Sequence, residues 1–256
     1  MPASRIASLC VGALLLAGLS SAQAALAPTG VSGQVSFNHI PPTPVQVTGF
    51  GKFGLVESPF GSVQFTVAGT PRPSLLGEVF VFSGVTGRSV GQLIYQVQIV
   101  GPDGLVPVFV DVAGHVGGSS TLGDPFAGFA MKARWDLEDQ TLGLQPVFGE
   151  GIESGTLAGS FSDGFNHRVP LTLTANHVYR VTLTADAFAA ASSGHDAGAS
   201  AFIDPVFSFA AGAGTAYTFA FSEGIGNAPV PEPQAWLLMC VGLAGLVLRL
   251  RPASAG

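Results

Sequence analysis

Gln92-Leu93-Ile94-Tyr95-Gln96-Val97-Gln98-Ile99 decides the fold. Successive side chains of an extended strand point to opposite faces, so Leu93, Tyr95, Val97 and Ile99 share one face while the glutamines occupy most of the other. The same period of two recurs downstream. Val106, Val108, Val110 and Val112 fall together, opposite Phe109 and Asp111. Phe129, Met131, Ala133, Trp135 and Leu137 alternate with Ala130, Lys132, Arg134, Asp136 and Glu138. Tyr179, Val181, Leu183 and Ala185 alternate with Arg180, Thr182, Thr184 and Asp186. Each run predicts a strand with one face on a core and one in water.

Between the runs stand turn signals: Pro41-Pro42, Gly101-Pro102-Asp103-Gly104, Gly117-Gly118, Asp163-Gly164 and Ala175-Asn176. Ala185 to Ala201 is rich in alanine, but Ser192-Ser193-Gly194 and Gly198 interrupt it, which weakens any helix there. About a dozen short strands result, the number that builds two packed antiparallel sheets. The predicted fold is therefore all-β, an antiparallel β-sandwich or jelly roll in a single domain, with a soft boundary where Gly149 to Gly159 thins the pattern. Outer-membrane barrels carry aromatic girdles and end in the bilayer, so that architecture is disfavoured.

Composition narrows the class. The 256 residues hold 10 Lys+Arg and 16 Asp+Glu, and 47% are apolar, which excludes intrinsic disorder. A net charge of −6 lacks the basic face that nucleic-acid binding requires. The two cysteines, Cys10 and Cys240, lie in the terminal segments, so the domain between them has no disulfide, thiolate metal site or cysteine nucleophile.

Both ends read as addresses. Residues 1–24 form a signal peptide: Arg5 supplies the positive start, Ile6 to Leu19 the apolar core, and Ala22-Gln23-Ala24 the small-x-small site cut by signal peptidase. Residues 25–226 form the β-sandwich ectodomain. Residues 227–256 open on a proline-stiffened stretch, Pro229-Val230-Pro231-Glu232-Pro233. Ala235 to Leu248 follows without a charge, and Arg249 and Arg251 close the segment. As a helix that stretch rises about 21 Å against roughly 30 Å of bilayer hydrocarbon. It suits a transient hold in the inner membrane, with the arginines on the cytoplasmic side.

This tail, Pro231-Glu232-Pro233, then Trp236 heading an apolar helix, then Arg249 and Arg251, resembles the PEP-CTERM sorting signal of Gram-negative bacteria. The resemblance covers about the last 25 residues and carries two closing arginines rather than a longer basic run. It implies recognition of the Pro-Glu-Pro motif by an exosortase, removal of the hydrophobic helix, and delivery to the cell surface or extracellular matrix. Leu171 to Asn227 is loosely similar to the β-rich ectodomains found before such tails.

No catalytic constellation stands out. There is no Gly-x-Ser-x-Gly, and Ser193, His195 and Asp196 are neighbours in a Gly/Ala/Ser loop rather than a supported triad. His39, His115, His167, His177 and His195 show no ligand spacing. For a hard cation such as calcium, Asp103, Asp124, Asp163 and Asp204 are the candidates, each beside Gly or Pro in a predicted turn. Trp135, Tyr95 and Tyr179 are in phase with aliphatics and belong to the core, leaving no evident aromatic platform for sugar. Thr172, Thr174, Thr182 and Thr184 form two Thr-x-Thr pairs on strands that could be hairpin partners. The reading is a surface or matrix protein, structural or adhesive, without catalytic activity or cofactor. Its partners would be signal peptidase, an exosortase and an exopolysaccharide. The alternatives are a carbohydrate- or calcium-dependent binding module and, behind it, a secreted hydrolase.

Overall fold

The computed structural model describes residues 26–37, 43–45, 49–57, 60–121, 127–157 and 159–227. Thirteen strands occupy most of them: β1 (Gly30–Phe37), β2 (Thr43–Val45), β3 (Gly51–Glu57), β4 (Gly61–Ala68), β5 (Ser74–Phe82), β6 (Thr86–Val100), β7 (Leu105–Ser120), β8 (Gly128–Asp139), β9 (Gln145–Leu157), β10 (Ser160–Thr174), β11 (Val178–Ala190), β12 (Asp196–Phe209) and β13 (Thr218–Phe221). The first sheet runs β2-β1-β6-β11-β8-β9, with β13 also on β6, and the second runs β10-β7-β12-β5-β4-β3.

The pairing explains the shape. β8 pairs with β9, β7 with β10, β6 with β11 and β5 with β12, all antiparallel. These eight strands are thus one long hairpin, out along β5 to β8 and back along β9 to β12. Rolling that hairpin brings β11 against β8 and β12 against β7. The result is the jelly roll, two interlocked Greek keys, whose closing pairs join residues distant in sequence.

The period-two runs do what their spacing demands. Leu93 faces Leu183, which faces Trp135, and all three are buried. The next row, Tyr95, Val181 and Leu137, is buried too. From the second sheet Val110, Val112, Leu75, Val79 and Ile203 complete the core. The alanines of 185–201 form strand, not helix: Ala185, Ala187, Ala189, Ala197, Ala199 and Ala201 are buried where β11 and β12 pack between the sheets. Outward positions of the first sheet carry the ion pairs Arg88–Asp186, Lys132–Glu153, Arg134–Asp136 and Arg180–Glu138. Such pairs on an exposed face favour the register and add little stability.

Several predicted turns are not turns. Gly117-Gly118 lies inside β7 and Asp163-Gly164 inside β10. The physical reason is clearance: a Cβ on Gly118 would collide with the Phe129 ring, so glycine here admits an aromatic from the facing sheet. Asp204-Pro205 likewise lies within β12. The threonine pairs are not hairpin partners, because β10 and β11 belong to different sheets. Asn176, in the left-handed region at φ 65°, turns the chain from one sheet to the other. Gly149 to Leu157 is paired to β8 within the sandwich.

Candidate functional site

Both ends of the described chain meet at one pole of the sandwich. β13 pairs with the end of β6, from Thr218 opposite Val100 to Phe221 opposite Val97. Ser222 continues the contact: its N–H donates to the Gln96 carbonyl at 3.0 Å, and its Oγ accepts from the Gln96 N–H at 2.8 Å. The same hydroxyl donates to the Ala27 carbonyl at 2.7 Å, and Thr29 Oγ1 donates to the Glu223 carbonyl at 2.8 Å. Gly226 N–H then donates to the Gly69 carbonyl at 2.7 Å. A Cβ on Gly69 would collide with the Gly224 carbonyl, so the two segments can lie this close only because Gly69 has no side chain.

Asn227 closes this clasp. Pairing between β12 and β5 stops at Ile203 opposite Leu75, which leaves the far part of β12 without a strand on that side. The Asn227 amide, donor and acceptor like a peptide group, fills the gap. Its Oδ1 accepts from the Phe207 N–H at 2.8 Å and its Nδ2 donates to the Phe207 carbonyl at 2.6 Å. The chain is therefore held by the fold up to residue 227, two positions before the proline-rich stretch begins.

Ala22, Ala24, Pro231, Glu232, Pro233, Arg249, Arg251 and Asp124 lie outside the described residues. The other aspartates proposed for calcium are not brought together. Asp103 accepts from Asn176 Nδ2 at 2.7 Å in the β6–β7 turn, and Asp163 accepts from the Gly164 N–H at 2.8 Å. Asp204 is 1% exposed beside Arg72, whose Nη2 is 2.7 Å away. Neither Asp204 oxygen has a well-formed hydrogen bond, and burial raises its pKa despite the opposing pull of Arg72 and of the Ala113 N–H. Among the described residues no group of three or more His, Cys, Asp or Glu could hold a metal ion. His115 meets Ser162 Oγ at 3.1 Å, His167 meets Glu150 at 3.1 Å and His177 meets Asp139 at 2.7 Å. The Asp196 carboxylate accepts from Thr121 Oγ1 and is not paired with His195.

A second feature escaped the sequence reading. The outer face of the second sheet holds a cleft of about 430 Å³ lined by β4, β5, β7 and β12. Its rows follow from the register: Ser62, Phe80, Gly198 and Ser119 form one, and Gln64, Glu78, Ser200 and Gly117 the next. Phe80 is 47% exposed and leans against Gly198. Gln64 Nε2 donates to Glu78 Oε2 at 2.6 Å. Strand alternation places Phe80 outward, but only the fold brings residues from the sixties, seventies and eighties beside those near 118 and 198.

Residues 229–251 match the PEP-CTERM protein-sorting motif. The chain carries a PEP-CTERM sorting signal. This places the motif directly after the clasped end of the jelly roll and makes the chain an exosortase-sorted, exported, surface-directed protein. None of the curated proteins matches the sequence of this PEP-CTERM chain. Among solved structures, the T13 IBDV viral particle is similar at 8% identity, covering 86% of this chain and 85% of that one, with a TM-score of 0.17. The infectious bursal disease virus Gt strain gives 10% identity, 87% and 68% coverage and a TM-score of 0.18. The Gx strain gives 10%, 86%, 74% and 0.18. Overlaps this low in TM-score support no argument about the PEP-CTERM chain.

Proposed function

We propose that this protein is a non-catalytic structural or adhesive component of the cell surface or extracellular matrix. On this reading signal peptidase removes the N-terminal address, exosortase removes the C-terminal helix, and an exopolysaccharide is the partner at the destination. The observation that carries it is the sorting motif at 229–251 adjoining a domain hydrogen-bonded to its last described residue, Asn227. Acidity suits the exported state. Apart from Arg5, Arg249, Arg251 and Glu232 the chain keeps seven bases and fifteen acids, which favours solubility and works against clinging to anionic lipid.

Replacing Pro231-Glu232-Pro233 by three alanines tests the reading. The altered chain is expected to accumulate in the inner membrane at precursor size, whereas the parent reaches the surface or medium. Surface delivery of the altered chain with its helix removed would defeat it.

A further inference from the structure

We propose that the cleft on the outer face of the second sheet binds a strand of neutral polysaccharide. The proposal rests on the surface-adhesive reading and gives it a site and a ligand class.

The chemistry of the lining selects the ligand. Gly198 and Gly117 carry no side chains of their own, and the Phe80 ring lies against the first and the His115 ring against the second, so two flat rings flank the cleft. Phe80 is nearly half exposed, with Phe82 edge-on at 5.8 Å to hold it. An apolar ring next to polar groups suits a pyranose, whose C–H face is apolar and whose rim carries hydroxyls. The Gln64–Glu78 pair supplies both functions for that rim. After their mutual bond the amide keeps one hydrogen and its carbonyl, and the carboxylate keeps further lone pairs. Ser62, Ser119 and Ser200 add hydroxyls along the two rows.

Other ligand classes fit less well. Glu78 is the one charged group in the lining, so a polyanion meets repulsion with no cation to offset it. A peptide adding itself as a strand needs an open sheet edge, but β4, β5, β12 and β7 each have partners on both sides. Position agrees with the role. Gly198 and Phe207 are nine residues apart on β12, which spans about 30 Å at the rise of an extended strand. The cleft therefore sits well away from the clasp along β12.

The test is affinity electrophoresis of the full chain in mild detergent, through gels containing soluble β-1,3-glucan, galactomannan, dextran or polygalacturonate. At least one neutral polymer is expected to retard migration and polygalacturonate is not. Phe80→Ala should weaken retardation about tenfold, the effect of losing one stacking platform. Gly198→Leu should abolish it by crowding the cleft beside Phe80, whose ring an added Cβ would meet at an ordinary 3.5 Å. Thermal melting checks that both variants remain folded, and Glu78→Gln offers a third probe with unchanged volume. Absence of retardation by all three neutral polymers, equal retardation by polygalacturonate, or undiminished binding in folded Phe80→Ala and Gly198→Leu would overturn the proposal. Cell fractionation of the parent chain separates the two ideas: normal delivery without retardation strikes only the cleft, whereas failed delivery strikes the sorting reading itself.

Discussion

Ser222 Oγ donates to the Ala27 carbonyl at 2.7 Å across 195 positions of sequence. One hydroxyl thus joins the first and last described segments of the jelly roll, and it also accepts from the Gln96 N–H in β6. Ala27 and Asn227 both lie at this pole.

The clasp should be measurable as stability. Ser222→Ala and Asn227→Ala each remove two hydrogen bonds from partly buried backbone partners, at an expected cost of about 1–2 kcal/mol. Urea unfolding of each variant reads the loss as a lower midpoint with an unchanged slope. A midpoint equal to the parent's would mean that the C-terminal segment is not part of the cooperative unit.

Tyr95 buries a hydroxyl that has no hydrogen-bond partner, and burial pushes its pKa far above the ordinary tyrosine range. Tyr95→Phe is therefore expected to be neutral or to stabilise by up to about 1 kcal/mol. The sign with pH follows from the raised pKa. Stability is fully present below the ordinary tyrosine pKa of about 10 and falls above it, because the unfolded chain releases a proton that the native state keeps. The slope is about 1.4 kcal/mol per pH unit for each such tyrosine. Tyr179 is also raised, chiefly by burial, so Tyr95→Phe should flatten the alkaline slope without abolishing it. Urea midpoints at three alkaline pH values for both proteins decide the matter.

Much of the fold was legible because strand alternation is local. Trp135, Tyr95 and Tyr179 declared themselves core by their phase, and all three are buried. Glycine was read less well. Gly117, Gly118 and Gly164 looked like punctuation, yet each lies inside a strand, and at Gly118 the reason is the Phe129 ring from β8. No local signal distinguishes a glycine that turns the chain from one that makes room for a distant side chain. The threonine pairs failed similarly: sequence proximity suggested a hairpin, but the short Ala175–His177 link crosses between sheets. The cleft was invisible for the converse reason, since its rows join positions more than a hundred residues apart.

A Cβ on Gly33 would run into the Phe65 ring, and Phe65 is fully buried. Gly33→Ala should destabilise by about 1–3 kcal/mol through overpacking. Gly198→Ala, with ordinary contacts only, should change stability by less than about 0.5 kcal/mol. Equal melting temperatures for the two variants would show that Phe65 yields freely and that the packing here is loose.

Arg72 is the ion-pair partner of the buried Asp204. Arg72→Ala leaves that carboxylate uncompensated, at an expected cost of about 3 kcal/mol at pH 7. Because burial raises the folded pKa of Asp204, its contribution is fully favourable below the ordinary carboxylate pKa of about 3.9 and is lost as pH rises through the raised value. The cost of Arg72→Ala should therefore shrink near pH 3, where the acid is protonated in both states. A pH-independent cost would assign the effect to lost packing instead.

Residues 229–251 match a sorting motif, and removal of the helix within them is the step on which the proposed function turns. Intact-mass and C-terminal peptide spectrometry of the protein recovered from the surface or medium of its native cells tests this most directly. The account predicts a mature C-terminus near Pro231-Glu232-Pro233, with the segment from Ala235 to Arg251 gone. Recovery of the chain only from the inner membrane, with Gly256 still at its end, would contradict it.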